Sequence, residues 1–322
     1  MLKNNSWKPT ANITNIRLRA KVLAKIRAFF AARQILEVET PLLSHSTITD
    51  PNIHSFTSQY RMAGSDKKET FYLQTSPEFA MKKLIAAGSG SIFQICKAFR
   101  NEEQGNLHNP EFTILEWYHL NFNHHDLMNE MDEFLNYIIS SNKAEKLTYQ
   151  EAFKKYLSID PLNSNTEKLR KCALTKGLND IADLGKDSWL NVLFANFIEP
   201  HLGINQPTFI YDFPASQAAL AQINESDPRT ARRFEVFING MELANGFHEL
   251  ANSKEQRQRF EKDLIKRQKL KLTQIPIDDN FLIALDYFPN CAGVALGLDR
   301  LLMIIAGIQN IKEVIAFPIS IA

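Results

Sequence analysis

The dipeptide Asn239-Gly240 stands between two strand-like runs in "RFEVFINGMELANGF". Both residues tolerate positive φ, which a two-residue hairpin turn requires, so this stretch commits the chain locally to antiparallel pairing. A second strand pair is predicted at "SIFQICKAFR" and "EFTILEWYHLNF", around a charged loop. Strands dominate the centre and helices the flanks, with no regular βαβ alternation. The pattern implies an α+β fold on an antiparallel β-sheet flanked by helices.

Residues 14–36 are expected to form an amphipathic helix with Thr14 as N-cap and Ile16, Leu23, Ile26, Phe30 and Leu36 on its apolar side. "LEVETPLLS" then reads as a strand stopped by Pro41, which cannot donate to a ladder. "ETFYLQTSPEFAMKKLIAAG" begins as a strand, turns at Thr75-Ser76-Pro77, and continues as a helix with Pro77 in its first turn and Gly88 beyond its end. A helix is expected over 125–140. Short helical patterns over 141–202 read as an insertion, and the charged run 254–271 as a solvated helix face. "GVALGLDRLLMIIAG" predicts a strand leading into a helix.

Lys and Arg number 37 against 36 Asp and Glu, which argues against a surface that coats nucleic acid. Cys96, Cys172 and Cys291 are odd in number and far apart, form no CxxC and suit a reducing compartment. The first fifteen residues are too polar for a signal peptide, and the run "LLMIIAGI" is too short to cross a bilayer. A soluble, cytoplasmic protein is expected.

Three stretches carry chemistry. Period two places Arg100 on the face of Ala98, Cys96 and Gln94, and groups Phe112, Ile114, Glu116 and Tyr118 on one face of the returning strand. An arginine fork at a sheet end suits a carboxylate or phosphate, and Glu116 with Tyr118 suits an ammonium group. A surface pair of Arg100 with Glu102 or Glu103 is the plainer alternative. In the hairpin, a two-residue turn puts Phe237 opposite Glu242 and Glu235 opposite Ala244. Glu235 and Glu242 then share a face that could present oxygens to Mg²⁺, or simply face water. Asn245, Phe247 and Glu249 have the opposite parity, so all five serve one site only if the strand bulges between Glu242 and Asn245. In "GVALGLDRL", Gly293 and Gly297 permit close backbone approach, and Arg300 starts a helix where an anion is favoured. The Asp299-Arg300 pair there is equally compatible with a capping arrangement. His124-His125-Asp126 has no further ligands at metal-binding spacing.

Taken together and in order, these stretches resemble the class II aminoacyl-tRNA synthetase family. The first motif of that family resembles the helix ending in "LEVETPLLS", with Pro41 as its interface proline; the second resembles "FRNEEQGNLHNPEFTILEWY" and the third "GVALGLDRLLMII". "TSPEF", "HNPEFTILEWY" and "ELANGFHEL" are similar to the lysyl type. The resemblance runs from about residue 14 to the end. It implies a single class II synthetase-like catalytic domain over 1–322, and an expected absence of the N-terminal anticodon-binding barrel.

By position, the resemblance assigns Arg100 to the α-phosphate and the substrate carboxylate and Arg300 to the distal phosphates, making these two the catalytic pair. Glu102, His108, Asn109, Phe112, Glu242, Leu243 and Gly297 complete the ATP-binding set, with Phe112 stacked on adenine. Glu235 and Glu242 hold Mg²⁺. Ser76, Pro77, Glu78, Glu116, Tyr118, Asn245, Phe247, Glu249 and Ala295 line the amino-acid pocket. A lysine-like substrate has two ammonium groups and one carboxylate, which suits several acids and one arginine.

The lysyl pattern has glycine where this chain has Ala295 and arginine where it has Leu107. Both departures, and "FPASQAALAQI", are similar to the truncated paralogues that modify translation elongation factor P. The implied substrates are ATP, (R)-β-lysine and that factor, in a homodimer without membrane or tRNA. Free-standing lysyl-tRNA charging with α-lysine is the alternative. A catalytically dead paralogue is disfavoured because Arg100, Arg300 and the paired acids are present.

Overall fold

The computed structural model describes residues 7–181 and 184–322. In chain order the elements are α1 (Ile13–Ala31), β1 (Leu36–Glu37), β2 (Leu43–Ser44), β3 (Thr57–Arg61), β4 (Lys68–Leu73), α2 (Glu78–Ala86), β5 (Ile92–Phe99) and β6 (Glu111–Leu120). There follow α3 (His124–Ile139), β7 (Glu145–Thr148), α4 (Tyr149–Leu157), α5 (Thr166–Thr175), α6 (Lys186–Phe197) and β8 (Thr208–Pro214). The chain closes with β9 (Thr230–Ile238), β10 (Met241–His248), α7 (Ser253–Lys269), α8 (Asp279–Leu285), β11 (Cys291–Gly297) and α9 (Leu298–Ala306). Two compact units result: one ends its first segment at Leu120 and adds Ala251–Asn290 and Ala295–Ala322, the other comprises Asn121–Leu250 and Cys291–Val294.

In the first unit the strand order is β1-β5-β6-β11, beside a separate sheet β2-β4-β3. β5 and β6 pair antiparallel with Phe93 opposite Trp117 and Gln94 opposite Glu116. Alternation therefore sends Phe93 and Trp117 to one face, and Gln94, Cys96, Ala98, Glu116, Ile114 and Phe112 to the other. Helix α1 covers the first of these faces. Its Val22, Ile26, Phe29 and Phe30 recur at helical spacing and are buried, and Phe30 stacks on Phe93 at 4.4 Å and meets Trp117 edge-on at 5.4 Å. The opposite face is left for polar side chains.

Helix α1 is shorter than expected. Asn12, not Thr14, caps it by accepting from Asn15 N at 2.8 Å, and Leu36 has already left the helix for β1. "LEVETPLLS" is likewise not one strand: β1 pairs parallel with β5, whereas β2 pairs antiparallel with β4 in the other sheet. Pro41 lies between them, where a missing N–H disrupts neither ladder.

In the second unit the order is β11-β10-β9-β8-β7. Asn239 and Gly240 have φ of 54° and 68°, and Met241 pairs with Ile238, so the expected two-residue turn is present. The segment 141–202 is not wholly helical, because it supplies β7, which runs parallel to β8. Helices α4 to α6 bring Tyr149, Phe153, Leu169, Trp189, Leu193 and Phe194 onto Ile210, Phe213 and Phe237 of the sheet. Helix α3, started by a reciprocal Asn123–Asp126 capping box, buries Leu127, Met131, Phe134 and Leu135 and contacts β9 and β10.

One close approach is intolerant of any side chain. A Cβ at Gly246 would lie 2.4 Å from Phe234 Cζ and 3.1 Å from Gly293 O. Phe234 is fully buried, so its ring has nowhere to yield. Gly246→Ala should destabilise by about 1–3 kcal/mol, as overpacking in a filled core does; a denaturant midpoint equal to wild type would show that the ring can move.

Candidate active site

In the first unit, β5 ends one residue before Arg100, whose N–H continues the ladder by donating to Pro110 O at 2.9 Å. Its guanidinium lies 5.2 Å from the centroid of the Phe112 ring, on the face described above. The suspected surface pair is marginal: Arg100 reaches Glu103 only at 3.9 Å, while Glu102, at a positive φ of 66°, is exposed and lies 3.9 Å from His54. Arg100 Nε is buried and makes no hydrogen bond among the described residues. It is therefore a poorly neutralised cation, since the nearby Glu111 is paired with Lys97 at 3.2 Å, and this is the condition under which an anion is bound.

Arg300, in the first turn of α9, donates to His108 Nε2 at 2.7 Å, which makes that nitrogen the acceptor. Its neighbour Asp299 is buried. Asp299 accepts from Thr113 N at 2.7 Å and is ion-paired with Arg19 of α1, which also donates to Val314 O at 2.9 Å. Asp299 is thus a clasp between α1, β6 and α9 rather than a helix cap. Asn109 is committed to the backbone through both ends of its amide, donating to Glu111 O at 2.6 Å and accepting from Ile319 N at 3.1 Å. Gly297 immediately precedes α9, and Ala295 lies half-buried on β11.

At the other end of the same face, Tyr118 donates its hydroxyl to Glu116 Oε1 at 2.7 Å. Glu78, in the first turn of α2, accepts from Lys82 at 2.6 Å, and Ser76 Oγ accepts from Glu78 N at 3.2 Å. Pro77 precedes α2 as its N-cap residue. Lys82 is fully buried, a cation the sequence reading missed although Glu78 and Lys82 have the i,i+4 spacing of a helical ion pair.

Burial pushes the Glu116 carboxyl up to about 8, and repulsion from Glu78 adds to it; the hydrogen bond from Tyr118, the Lys82 cation and Ser76 act in the opposite sense. Because the folded protein holds this proton and the unfolded chain does not, stability is present at acid pH and is lost as pH rises from the ordinary carboxylate range to about 8. The melting temperature should accordingly fall between pH 5 and pH 8, and Glu116→Gln should flatten that fall. A wild-type slope retained by the variant would clear Glu116 of the effect.

In the second unit the β9–β10 register shifts between Glu242 and Ala244. Glu242 faces Phe237 as expected. Ala244, however, faces Val236 rather than Glu235, and Asn245 takes the place opposite Glu235. The bulge therefore returns Asn245 and Phe247 to the face of Glu235 and Glu242, which strict alternation would forbid. Glu249, beyond the strand end, is buried and bridges to Ala221. Leu243 is the extra residue and is buried.

Glu235 is paired with Arg233, two residues earlier on the same strand. Burial nevertheless raises its carboxyl, outweighing Arg233, with Glu242 as a further raising charge. Among the described residues no three His, Cys, Asp or Glu side chains gather to hold a metal ion; His124 and His125 begin α3 instead. No helix among them is long and apolar enough to cross a membrane.

The family described as tRNA synthetases class II (D, K and N) matches residues 7–320. The chain is 53% identical over 319 residues to the elongation factor P–(R)-β-lysine ligase of Photobacterium profundum, covering 98% of this chain and 99% of the relative. It is 52% identical to the ligase of that name from Vibrio cholerae over 320 residues, again 98% and 99%, and 50% identical to that of Proteus mirabilis over 316 residues, 97% of each.

Proposed function

The chain belongs to the family of class II tRNA synthetases (D, K and N), and from that premise we propose an ATP-dependent, AMP-forming ligase. It activates (R)-β-lysine as an aminoacyl-adenylate and transfers it to the ε-amine of a lysine on translation elongation factor P. The observation that carries this reading is the division of labour on one face of β5 and β6. An under-neutralised arginine sits beside an aromatic ring at one end, and two acidic residues sit at the other, the buried Glu116, which holds its proton up to about pH 8, and the half-buried Glu78. An amino acid bearing ammonium groups and a carboxylate has the matching polarity, and the names of the relatives supply the particular substrates.

Activation needs no general base, because the substrate carboxylate is itself the nucleophile on the α-phosphorus. Alignment and charge neutralisation suffice. Arg100 would bind the carboxylate and α-phosphate and Arg300 the distal phosphates, with His108 orienting Arg300. Phe112 would stack on adenine, with Glu102, Asn109, Leu243 and Gly297 completing the nucleotide set. Asn109, with its amide committed to Glu111 and Ile319, would act through its backbone. Glu116 with Tyr118, Glu78, Ser76, Pro77, Asn245, Phe247 and Glu249 would hold the amino acid.

Glu235 and Glu242 fit Mg²⁺: they share a face, repel one another, and two carboxylates beside phosphate oxygens are an ordinary magnesium set. When bound, the ion would supply neutralisation of the phosphate charge. In the transfer step the acceptor amine must first lose a proton, at roughly 4–5 kcal/mol at neutral pH for an unperturbed lysine. Desolvation of that amine in the complex lowers this cost.

The family match spans residues 7–320, and we read the chain as a single catalytic domain with 141–202 as its insertion. Leu36, Leu42 and Leu43, on either side of Pro41, are exposed, which supports a second copy of the chain covering them, hence a homodimer. A translation factor as acceptor implies a cytoplasmic enzyme. The Ala295 methyl would make the amino-acid pocket shallower than glycine does. Ala295→Gly should raise kcat/KM for α-lysine relative to β-lysine, and an unchanged ratio would remove this position from substrate choice.

The deciding experiment is the intact mass of elongation factor P after incubation with the protein, Mg-ATP and β-lysine, beside a tRNA charging assay. A single lysyl-sized adduct with uncharged tRNA supports the proposal. Charged tRNA and unmodified factor would replace it with lysyl-tRNA synthesis.

A further inference from the structure

Arg233 makes more contacts than pairing with Glu235 requires. It lies on β9 opposite Phe247, with its side chain largely buried at 17% exposure. Its guanidinium donates through Nε to Asn245 Oδ1 at 3.2 Å, through Nη1 to Gln217 O at 2.8 Å, and through Nη2 to Glu235, while its carbon lies 4.5 Å from the Phe213 ring centroid. Three of its edges are thus fixed at once, and the planar fork leaves it one orientation.

The fixing comes from the helical insertion. The Ala215–Gln217 turn is tied to α6 by Ser216 Oγ donating to Asp187 at 2.6 Å and by Gln217 Nε2 donating to Asn191 at 3.1 Å. Phe213 is packed by Tyr149 at 4.9 Å within the insertion's core. Arg233 is therefore held from α4 and α6 on one side and presents its remaining donor to Asn245 on the other.

An arginine side chain has donors only. Whichever end of the Asn245 amide meets it must be the oxygen, so the amide NH₂ is the end turned away from Arg233. Asn245 is half-buried and shares its face with Glu235 and Glu242. We propose that Arg233 is a positioning residue that fixes the Asn245 amide with its NH₂ outward, making Asn245 a hydrogen-bond donor to an oxygen of the amino acid rather than an acceptor for its ammonium groups. This rests on the reading of the site as an amino-acid pocket, and adds to it the sense in which one residue reads the substrate.

Calorimetric titration without nucleotide or metal tests it, using β-lysine and the diamine left when its carboxyl group is removed. Asn245→Asp substitutes an acceptor for the donor. It should weaken β-lysine by about tenfold or more, the size of a lost hydrogen bond to a charged group, and leave the diamine bound at least as tightly as by wild type, because the new carboxylate can only attract its ammonium groups. Arg233→Lys keeps a donor-only partner and should preserve the wild-type preference for the acid over the diamine. Arg233→Gln, which can face either end of the amide, should reduce that preference.

Thermal melts accompany each variant, and the ratio of the two ligands is read within one protein, so partial unfolding cancels. Tighter binding of both ligands by Asn245→Asp would overturn the proposal, as would identical ratios for Arg233→Lys and Arg233→Gln. Wild-type protein that bound neither ligand would overturn the amino-acid reading and this proposal with it. Binding of both with no effect of Asn245→Asp would overturn the proposal alone.

Discussion

Arg100→Ala should depress β-lysine-dependent ATP–pyrophosphate exchange by about 10²- to 10³-fold, the usual consequence of removing one preorganised donor from a developing charge. The expectation rests on what surrounds the side chain. Its closest carboxylate, Glu103, is 3.9 Å away, and its buried Nε makes no hydrogen bond among the described residues. Arg100 is therefore not committed to holding the fold together, and its removal should leave the melting temperature near wild type or above it, since a buried unmatched donor disappears. Arg100→Lys should recover little, because a point charge cannot reproduce two parallel donors. Exchange within about threefold of wild type would remove Arg100 from the chemistry.

Asp299→Ala is expected to act in the opposite manner, on stability first. One carboxylate, buried at 3% exposure, receives the Arg19 guanidinium and the Thr113 backbone N–H. Its loss strands the Thr113 N–H and leaves the Arg19 guanidinium, which keeps its bond to Val314 O, without its counter-charge. Breaking a buried pair on one side typically destabilises by about 3–5 kcal/mol, and equilibrium urea unfolding would measure it. Asp299→Asn keeps the shape and can still serve Thr113, but only by turning its NH₂ toward Arg19, so it should recover only part of the loss. Because Thr113 follows Phe112 and Asp299 precedes Arg300, any folded remnant of these variants should have a raised KM for ATP. A loss below about 1 kcal/mol would mean that α1 and α9 are held together by apolar packing alone.

The contrast between these residues explains what the sequence could and could not disclose. Strand pairs were legible because alternation and turn chemistry are local: Asn239-Gly240 placed one hairpin, and the parity of Phe112, Ile114, Glu116 and Tyr118 gave the face they share. Helix α1 was expected to start late, since Asn12 and Thr14 are both competent caps and only the bond from Asn15 N decides between them, and it was overextended at its other end, where Leu36 belongs to a strand whose partner is distant in sequence. The split of "LEVETPLLS" between two sheets, and the parallel partners of β1 and β7, depend on segments distant in sequence and left no local mark. Among site residues, acids and arginines were found where charge interrupts an apolar pattern. Lys82 and Arg233 were missed as partners because each lies beside other charges that single-sequence reading assigns to solvent, and Asp299 because it reads with Arg300 as a local capping pair; only packing reveals that they are enclosed.

The one-residue shift at Leu243 also has a meaning for anyone who would transplant this hairpin. A β-strand is a two-letter message written inside and outside by turns, and a bulge is a phase error in that message. Everything after it is spoken to the other side. Here the error lets an acid before it and an amide after it address the same side, at the expense of one buried leucine that itself says nothing. A graft that copied the conspicuous polar residues and tidied the alternation would retain every letter and lose the sentence.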